Sequence, residues 1–173
     1  LAEILTGEVN PSGKLSETFP LCLEDTPSYG TLNTPLVSRY EEGLDVGYRY
    51  YDSYGIPVAF PFGHGLSYSD FDYSGLKVDA EGQQAKVAFS LKNVSACDGK
   101  EVCQLYIHPL NAYVYRPEQE LKAFAKQAVK AGKTGKVAFA LTAADFAYYS
   151  TAKDGWTTDD GFYEIRIGAS SRD

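Results

Sequence analysis

The sequence is poor in several residue types, and each shortage restricts what the chain can be. It has no methionine, one tryptophan, two histidines and three cysteines among its 173 residues. No apolar run approaches the roughly 20 residues that a membrane-spanning helix needs. Acidic residues outnumber basic ones by 23 to 16, which gives a net charge of −7. We therefore expect neither nucleic acid nor an anionic membrane as a partner, because both bind to a basic face.

The few cysteines and histidines restrict both the compartment and the cofactors. Cys22, Cys97 and Cys103 form an odd and sparse set, unlike the dense, even-numbered set of a secreted disulfide scaffold. They favour free thiols in a reducing cytoplasm, although secretion stays open. His64 and His108 are far from every cysteine in the sequence, and there is no CxxC pair. We expect no metal and no cofactor.

Residues 1–70 mix several kinds of local signal. Leu1–Leu5 has the pattern of the last turns of an amphipathic helix, so we expect the natural chain to continue upstream. Lys14–Phe19 alternates enough to predict a short strand, which Pro20 limits to an edge or an end. A long irregular loop is predicted over 24–47, and such loops are usually functional or cover something. The segment that follows, Val46–Tyr54, is dense in tyrosine and arginine.

From residue 71 onward, short β-like runs recur between turn residues. Alternation is clearest where Val87, Phe89 and Leu91 share one face of the second run. The predicted strands are Phe71–Val78, Ala85–Val94, Glu101–His108, Glu120–Val129, Lys136–Leu141 and Phe162–Ile167, with a helix left open for the fourth. This pattern predicts an antiparallel β-sandwich. Because such domains usually have seven strands, we expect a last strand beyond Asp173.

Several segments of the chain resemble one enzyme family in the expected order. The most distinctive are Pro61–Tyr68 followed by Phe71, and Tyr40–Asp52 with its Gly-Tyr-Arg-Tyr-Tyr-Asp end. The others are Gly7–Leu15, Thr18–Pro20, Gly99–Val102, Gln104–Tyr106, Arg116–Pro117, Glu120–Leu121 with Phe124, Trp156, Gly161 and Gly168–Asp173. Together they resemble family-three glycoside hydrolases of the β-glucosidase type.

The resemblance implies a mainly β fold with two parts. Residues 1–70 would be the C-terminal part of the family's α/β sandwich domain with a connecting loop. Residues 71–173 would form a fibronectin-III-like antiparallel β-sandwich. The partner would be the remainder of the same enzyme, namely its barrel domain and the rest of the α/β sandwich domain, and the ligand a small β-glycoside.

The resemblance also implies where the catalytic chemistry lies. Family members retain configuration, using an Asp nucleophile and a Glu acid/base whose environments separate their pKa values. Both residues would lie upstream of Leu1 in the usual domain order, so we expect no catalytic residue in this segment. In this reading the segment braces the catalytic core and is inactive alone.

Four residues are candidates for a place near the sugar, namely Tyr40, Glu41, Glu42 and Arg49. The two glutamates are more simply surface or loop-fixing residues, because sequence neighbours rarely converge on one substrate atom. Arg49 could stack on aromatic rings or pair with Asp45 or Asp52, and we favour a structural salt bridge.

Two further residues are weighed against catalytic or sugar-binding roles. For His64 we expect a buried, hydrogen-bonded ring beside glycines that allow a tight crossing between the domains. For Trp156 we favour a core or loop anchor over a sugar platform. Tyr113, Tyr115 and Arg116–Pro117 would form a loop that folds back to fix domain position.

Two other functions compete with a β-glucosidase segment. A fibronectin-like sandwich could be a polysaccharide- or protein-binding module. Alternatively, the enzyme could be a β-xylosidase or arabinosidase of the same family, because the shared motifs do not separate these activities.

Overall fold

The structure is a computed structural model that describes residues 1–31, 36–37 and 39–173. Of the loop expected over 24–47, residues 32–35 and 38 lie outside the described residues. The helices are α1 Ala2–Leu5, α2 Tyr48–Ser53 and α3 Ala143–Phe146, with a short 3-10 helix at Leu23–Asp25. The strands are β1 Phe19–Pro20, β2 Val58–Phe60, β3 Phe71–Glu81, β4 Gln84–Asn93, β5 Gly99–Pro109, β6 Glu120–Val129, β7 Thr134–Leu141, β8 Tyr148–Ser150, β9 Gly155–Thr157 and β10 Tyr163–Gly168. No helix in these ranges is long and apolar enough to cross a membrane.

Six of these strands form the predicted antiparallel sandwich. One sheet has the order β3-β4-β7 and the other the order β10-β5-β6. All four pairings are antiparallel. Residues 120–129 are strand rather than helix, because the segment pairs with β5 from Gly99 to Ile107, with a register irregularity at Lys122. The mainly β, sandwich-type fold predicted from the alternating apolar runs is therefore confirmed.

The core lies between the two sheets and has two parts. Towards one end, Val87 of β4 and Leu141 of β7 pack with Leu105 and Ile107 of β5. Towards the other, Phe89 and Leu91 of β4 pack with Cys103, Val129 and Val137. The period-2 alternation of β4 places these side chains on one face of its sheet. Cys103 is fully buried and packs in this core as a small apolar side chain.

Between β7 and β10 the chain forms two elements that the sequence analysis did not predict. Helix α3 begins at a capping box, in which Thr142 and Asp145 each bond the other's backbone. A two-stranded hairpin follows, with Tyr148–Ser150 paired to Gly155–Thr157. This hairpin forms a sheet of its own, apart from the two main sheets.

The part before β3 has little regular structure. The strand predicted at Lys14–Phe19 is wrong over most of its length, since only Phe19–Pro20 pairs, with β2. A bend at 16–17 ends the extended run. Leu15 is instead tied to the Gly-rich loop, where its N–H donates to His64 O over 2.8 Å and its carbonyl accepts from the Gly63 N–H over 2.9 Å.

Candidate functional site

Helix α2 positions Arg49 against the sandwich. The helix is fixed at its first turn, where the Leu121 N–H donates to the Tyr48 hydroxyl over 2.7 Å. The Tyr48 ring also stacks on Phe62 with centroids 4.9 Å apart. Arg49 directly follows Tyr48 in the helix, and its guanidinium reaches strand β6, where Nη2 lies 3.0 Å from Glu120 Oε1. The sequence analysis had not assigned a helix to this segment.

Glu120 is the centre of a charged cluster. Its carboxylate, 12% exposed, also pairs with Arg116 and lies 3.5 Å from Lys122 Nζ. Burial alone would raise the pKa of Glu120, but the hydrogen bond from Arg116 and the charges of Lys122, Arg116 and Arg49 outweigh it and hold that pKa below its ordinary value. Burial lowers the pKa of Lys122, and Glu120 opposes that shift. The cationic neighbours thus favour the charged form of the Glu120 carboxyl group.

Aromatic rings stand around this cluster and enclose a cleft of about 620 Å³. We call it the aromatic cleft. Its charged residues are Arg49, Arg116, Glu120 and Lys122, and its aromatic residues are Tyr115, Tyr148, Tyr149 and Trp156. The two parts of the chain both contribute, since Leu44 and Arg49 line it from one side and residues of the sandwich and its loops line the rest.

Each of the three cleft tyrosines donates its hydroxyl to an aspartate. Tyr115 bonds Asp45 Oδ2 over 2.6 Å. The Tyr148 and Tyr149 hydroxyls likewise lie 2.9 and 2.5 Å from Oδ1 of Asp159 and Asp154. Burial and the bond to Asp45 raise the pKa of Tyr115 to about 12, and the aspartate bonds raise the pKa values of the other two phenols. All three therefore stay protonated as donors, which fixes the rings.

Trp156 is exposed, so the core half of the expectation of a core or loop anchor is wrong, whereas the loop-anchor half stays a prediction. Its side chain is 75% exposed. It lies on β9 directly opposite Tyr149, and the two rings meet edge to face with centroids 5.9 Å apart. Because the hairpin stands apart from both main sheets, no core surrounds the indole.

The four candidate residues predicted from the sequence, Tyr40, Glu41, Glu42 and Arg49, do not form a single charged cluster in the structure. Tyr40 is 85% exposed and Glu41 is also exposed. Glu42 is half-buried, and its carbonyl accepts from the Asp45 N–H over 3.0 Å. Arg49 forms a salt bridge, as favoured, but with Glu120 rather than Asp45 or Asp52. A long-range partner of this kind leaves no trace in local sequence.

The loop expected to fold back does reach the first part of the chain. Tyr115 bonds Asp45, as described, and the Glu118 N–H donates to Ser53 Oγ over 2.9 Å. Arg116 has a side chain only 4% exposed and donates to the Phe146 carbonyl over 2.9 Å. Its guanidinium also lies 5.6 Å from the Tyr148 ring centroid. Arg116 is therefore buried in the wall of the cleft rather than displayed on a free loop.

The glycines around His64 allow a close approach, as the sequence suggested. A Cβ on Gly63, which has φ +83°, would clash with the Gln104 amide of strand β5. A Cβ on Gly65 would clash with the Gly13 carbonyl. His64 is half-buried rather than buried, and its ring packs on Phe60 with centroids 5.0 Å apart.

The aromatic cleft lacks the groups for retaining glycoside hydrolysis. That chemistry needs two carboxyl groups about 5–5.5 Å apart, one of them kept protonated by a raised pKa. Glu120 is the single carboxylate among the described residues that line the cleft, and its pKa is lowered. Across the described ranges, no group of three or more acidic, histidine or cysteine side chains could hold a metal ion. The described lining of the cleft therefore does not supply the pair of carboxyl groups that this chemistry uses.

Two family models match this chain in sequence order. Residues 1–68 match the glycosyl hydrolase family 3 C-terminal domain, and residues 101–171 match a fibronectin type III-like domain. The chain belongs to glycosyl hydrolase family 3. Neither match covers residues 69–100, so the expected boundary between 70 and 71 stays a prediction.

Relatives from this family match the whole chain. Thermostable beta-glucosidase B of Acetivibrio thermocellus is 48% identical over 180 residues, which cover 100% of this chain and 24% of that protein. An exo-alpha-(1->6)-L-arabinopyranosidase of Bifidobacterium longum is 44% identical over 177 residues, covering 100% of this chain and 23% of that protein. The chain thus spans about a quarter of the length of these family 3 relatives.

Solved family 3 structures share the fold over the same extent. The GH3 beta-glucosidase of Bifidobacterium adolescentis superposes with a TM-score of 0.95 at 41% identity, covering 100% of this chain and 26% of that one. Beta-glucosidase 3B of Thermotoga neapolitana, in complex with glucose, superposes with a TM-score of 0.89 at 40% identity, covering 99% of this chain and 24% of that one.

The sequence analysis missed most of the aromatic cleft. Glu120 was named only within a motif and a predicted strand, and Lys122, Tyr148 and Tyr149 were not singled out, because these residues come from elements far apart in the sequence. One signal could have found part of it, since two adjacent tyrosines and a tryptophan flank the turn residues of a short hairpin.

Proposed function

We propose that this chain is the C-terminal part of a retaining exo-β-glycosidase that removes terminal β-linked sugars. In this proposal it braces a catalytic centre whose nucleophile and acid/base lie on other residues of the protein. The observation that carries the proposal is the state of Glu120. The carboxylate in the cleft is already paired with Arg49, Arg116 and Lys122, so it is free neither to attack nor to donate a proton.

Exposed apolar side chains in the first part of the chain support the bracing role. Helix α1 and the segment around the 3-10 helix expose large apolar residues, namely Leu1, Leu5, Leu21 and Leu23. Several large apolar side chains left exposed in one part of a chain are typical of an interaction surface. We infer that the rest of the α/β sandwich domain covers it.

The names of the relatives support β-glucosidase as the activity, with one competitor. The Acetivibrio thermocellus relative is named a beta-glucosidase, and the Bifidobacterium longum relative an arabinopyranosidase, at similar identity. We infer a β-glucoside as the substrate of the complete protein. In this proposal Tyr40, Glu41 and Glu42 lie on an exposed rim near the sugar, and Arg49 holds the rim through Glu120.

The division of the chain follows from where the core begins. Phe71 and Tyr73 of β3 and the alternate residues of β4 from Ala85 to Leu91 pack in the sandwich core. We therefore infer a fibronectin-like domain over 71–173 and a terminal piece of the α/β sandwich domain over 1–70. We also infer a cytoplasmic location from the three free thiols, of which Cys103 is buried and Cys22 exposed.

The test compares the isolated 173-residue chain with the complete protein on 4-nitrophenyl β-D-glucopyranoside. We expect turnover by the complete protein and none by the isolated chain. Assay of the 4-nitrophenyl α-L-arabinopyranoside in parallel should give a lower kcat/KM. Turnover by the isolated chain would contradict the assignment of the carboxyl groups to other residues, and a complete protein without β-glycosidase activity would contradict the proposed function itself.

A further inference from the structure

The aromatic cleft has the size and shape of a ligand site. Its volume of about 620 Å³ falls in the range of clefts that hold small ligands. The β8–β9 hairpin forms one wall, and the loop with Val114–Pro117 forms another. Glu120 and Lys122 of β6 contribute charged groups to its lining. The cleft therefore has aromatic walls and hydrogen-bonding groups within one depression.

The aromatic rings are held in place before any ligand arrives. The three aspartate bonds fix the rings of Tyr115, Tyr148 and Tyr149, as described above. A fixed ring costs less conformational entropy on binding than a free one. The edge-to-face contact with Tyr149 likewise orients Trp156 while most of the indole stays open to solvent. A preorganised aromatic surface that the sandwich core does not use is suited to an external ligand.

The charges around the cleft favour a neutral ligand. Its three cations, Arg49, Arg116 and Lys122, face the Glu120 carboxylate. Three further carboxylates, those of Asp45, Asp154 and Asp159, stand at the tyrosine hydroxyls. With four acids beside three bases, no positive excess remains to select an anion. Arg116 is in addition fully engaged by Glu120, the Phe146 carbonyl and the Tyr148 ring.

A saccharide matches both the aromatic walls and the hydrogen-bonding groups of the cleft. Pyranose rings present an apolar C–H face that packs on indole and phenol rings, and their hydroxyls bond charged side chains. A purely apolar partner would leave Glu120 and Lys122 desolvated without new hydrogen bonds, which is costly. The geometry therefore favours a ligand that is apolar on its faces and polar at its edges.

We propose that the aromatic cleft binds a neutral β-linked glucan chain, with Trp156 as its main platform. The choice of a β-linked glucan rests on the proposed function, whereas the choice of a neutral saccharide rests on the cleft alone. Trp156 is exposed enough to act without rearrangement of the fold.

The experiment is affinity electrophoresis of the complete protein in native gels that contain laminarin or hydroxyethylcellulose. The wild type should be retarded by at least one of these glucans. Trp156→Ala should raise the apparent dissociation constant about tenfold or more, as expected for loss of a central aromatic anchor. The matched control is Phe162→Ala, because Phe162 is also 75% exposed but does not line the aromatic cleft. That control should be retarded like the wild type.

Three results would overturn the proposal. The first is a wild type that runs freely in both glucans, and the second is equal loss of retardation in both variants. The third is Trp156→Ala with unchanged retardation but a lower Tm or an altered sedimentation coefficient, which would mean that protein fills the cleft. Hydrolysis of the aryl β-glucoside by the wild type, measured alongside, tests the proposed function separately from the cleft.

Discussion

The residues before Phe71 and those after it bury their apolar side chains in different ways. Among the described residues, the buried apolar side chains lie between the two sheets of the sandwich, with two exceptions. These are Tyr51 on α2 and Tyr106 of β5, whose ring packs on Tyr48 of α2. The first part instead exposes many large apolar side chains, including Leu1, Leu5 and Leu23. The sandwich thus closes a core of its own, whereas the first part has the composition of one half of an interface.

The first part is held against the sandwich by polar contacts as well as by aromatic packing on β5. Arg172 bonds Asp52, the Tyr51 carbonyl and the Ile56 carbonyl. Lys14 pairs with Glu101 over 2.7 Å. The first part is thus fixed by specific contacts and has no core cluster of its own among the described residues, so the two regions should respond differently to substitution.

Truncation of a core residue should have the largest effect on the free energy of unfolding, because it removes packing from the sandwich core. Leu105→Ala removes a fully buried side chain from between the sheets. We expect a loss of about 4 kcal/mol in the free energy of unfolding, from lost burial and the cavity left behind. Leu23→Ala, at an exposed position of the first part, should change it by about 0.5 kcal/mol or less in the isolated chain. Urea unfolding measures both, and equal losses would contradict the contrast.

Substitution of Glu120 tests the contact between the two regions, and its effect on the free energy of unfolding should depend on pH. Glu120→Gln should cost about 3 kcal/mol near neutral pH, because Arg116, Lys122 and Arg49 lose their shared carboxylate. The pKa of Glu120 is lowered from its ordinary value of 4.5. Its stabilisation is therefore complete above pH 4.5 and is lost as pH falls through the lowered pKa.

The difference between wild type and Glu120→Gln should accordingly shrink below pH 4.5 in urea unfolding measured across pH. Glu164→Gln is the matched control, since Glu164 also pairs with an arginine but is exposed. It should cost about 1 kcal/mol or less at any pH. A pH-independent difference for Glu120→Gln would mean that its charge is not what stabilises the contact.

The strands of the sandwich could be predicted from the sequence, but the contact between the sandwich and the residues before Phe71 could not. Strand β4 could be predicted because its buried and exposed residues alternate, and that alternation is a direct consequence of the pleat. The segment at 48–53 was missed because its tyrosines serve long-range partners, such as Leu121 for Tyr48, rather than a local periodicity. The strand prediction at Lys14–Phe19 was wrong for the opposite reason. Its local alternation was overridden by hydrogen bonds between Leu15 and the Gly-rich loop.

The candidate site was harder to predict than the fold. Arg49 was identified as a salt-bridging residue, but its partner lies 71 positions away, beyond any local rule. For Trp156 a core or loop anchor was favoured, because a lone tryptophan in a sandwich more often serves as an anchor than as a sugar platform. Its exposure follows from the β8–β9 hairpin standing outside both main sheets, which periodicity does not reveal.

A glycine substitution tests the close approach between the first part of the chain and strand β5. Gly63→Ala should cost about 2 kcal/mol, because its Cβ would meet the Gln104 amide, which is itself bonded to Tyr106 and Ala169. Gly55→Ala is the control for backbone strain alone, since Gly55 has φ +62° but open space around its Cβ position. It should cost about 1 kcal/mol. Equal losses of unfolding free energy would mean that the two parts are not in close contact at Gly63.

The smallest expected effect separates a contact between the regions from an ordinary surface pair. Arg172 and Arg166 have similarly exposed side chains, at 30% and 34%, but Arg172 pairs with Asp52, which is 6% exposed. Arg166 pairs with the more exposed Glu118 and Glu164. Arg172→Ala should therefore cost about 1.5 kcal/mol and leave Asp52 without its cation, whereas Arg166→Ala should cost about 0.5 kcal/mol. Hydrogen exchange at α2 should rise in the first variant alone, and a rise in both would show that the helix is not anchored through Arg172.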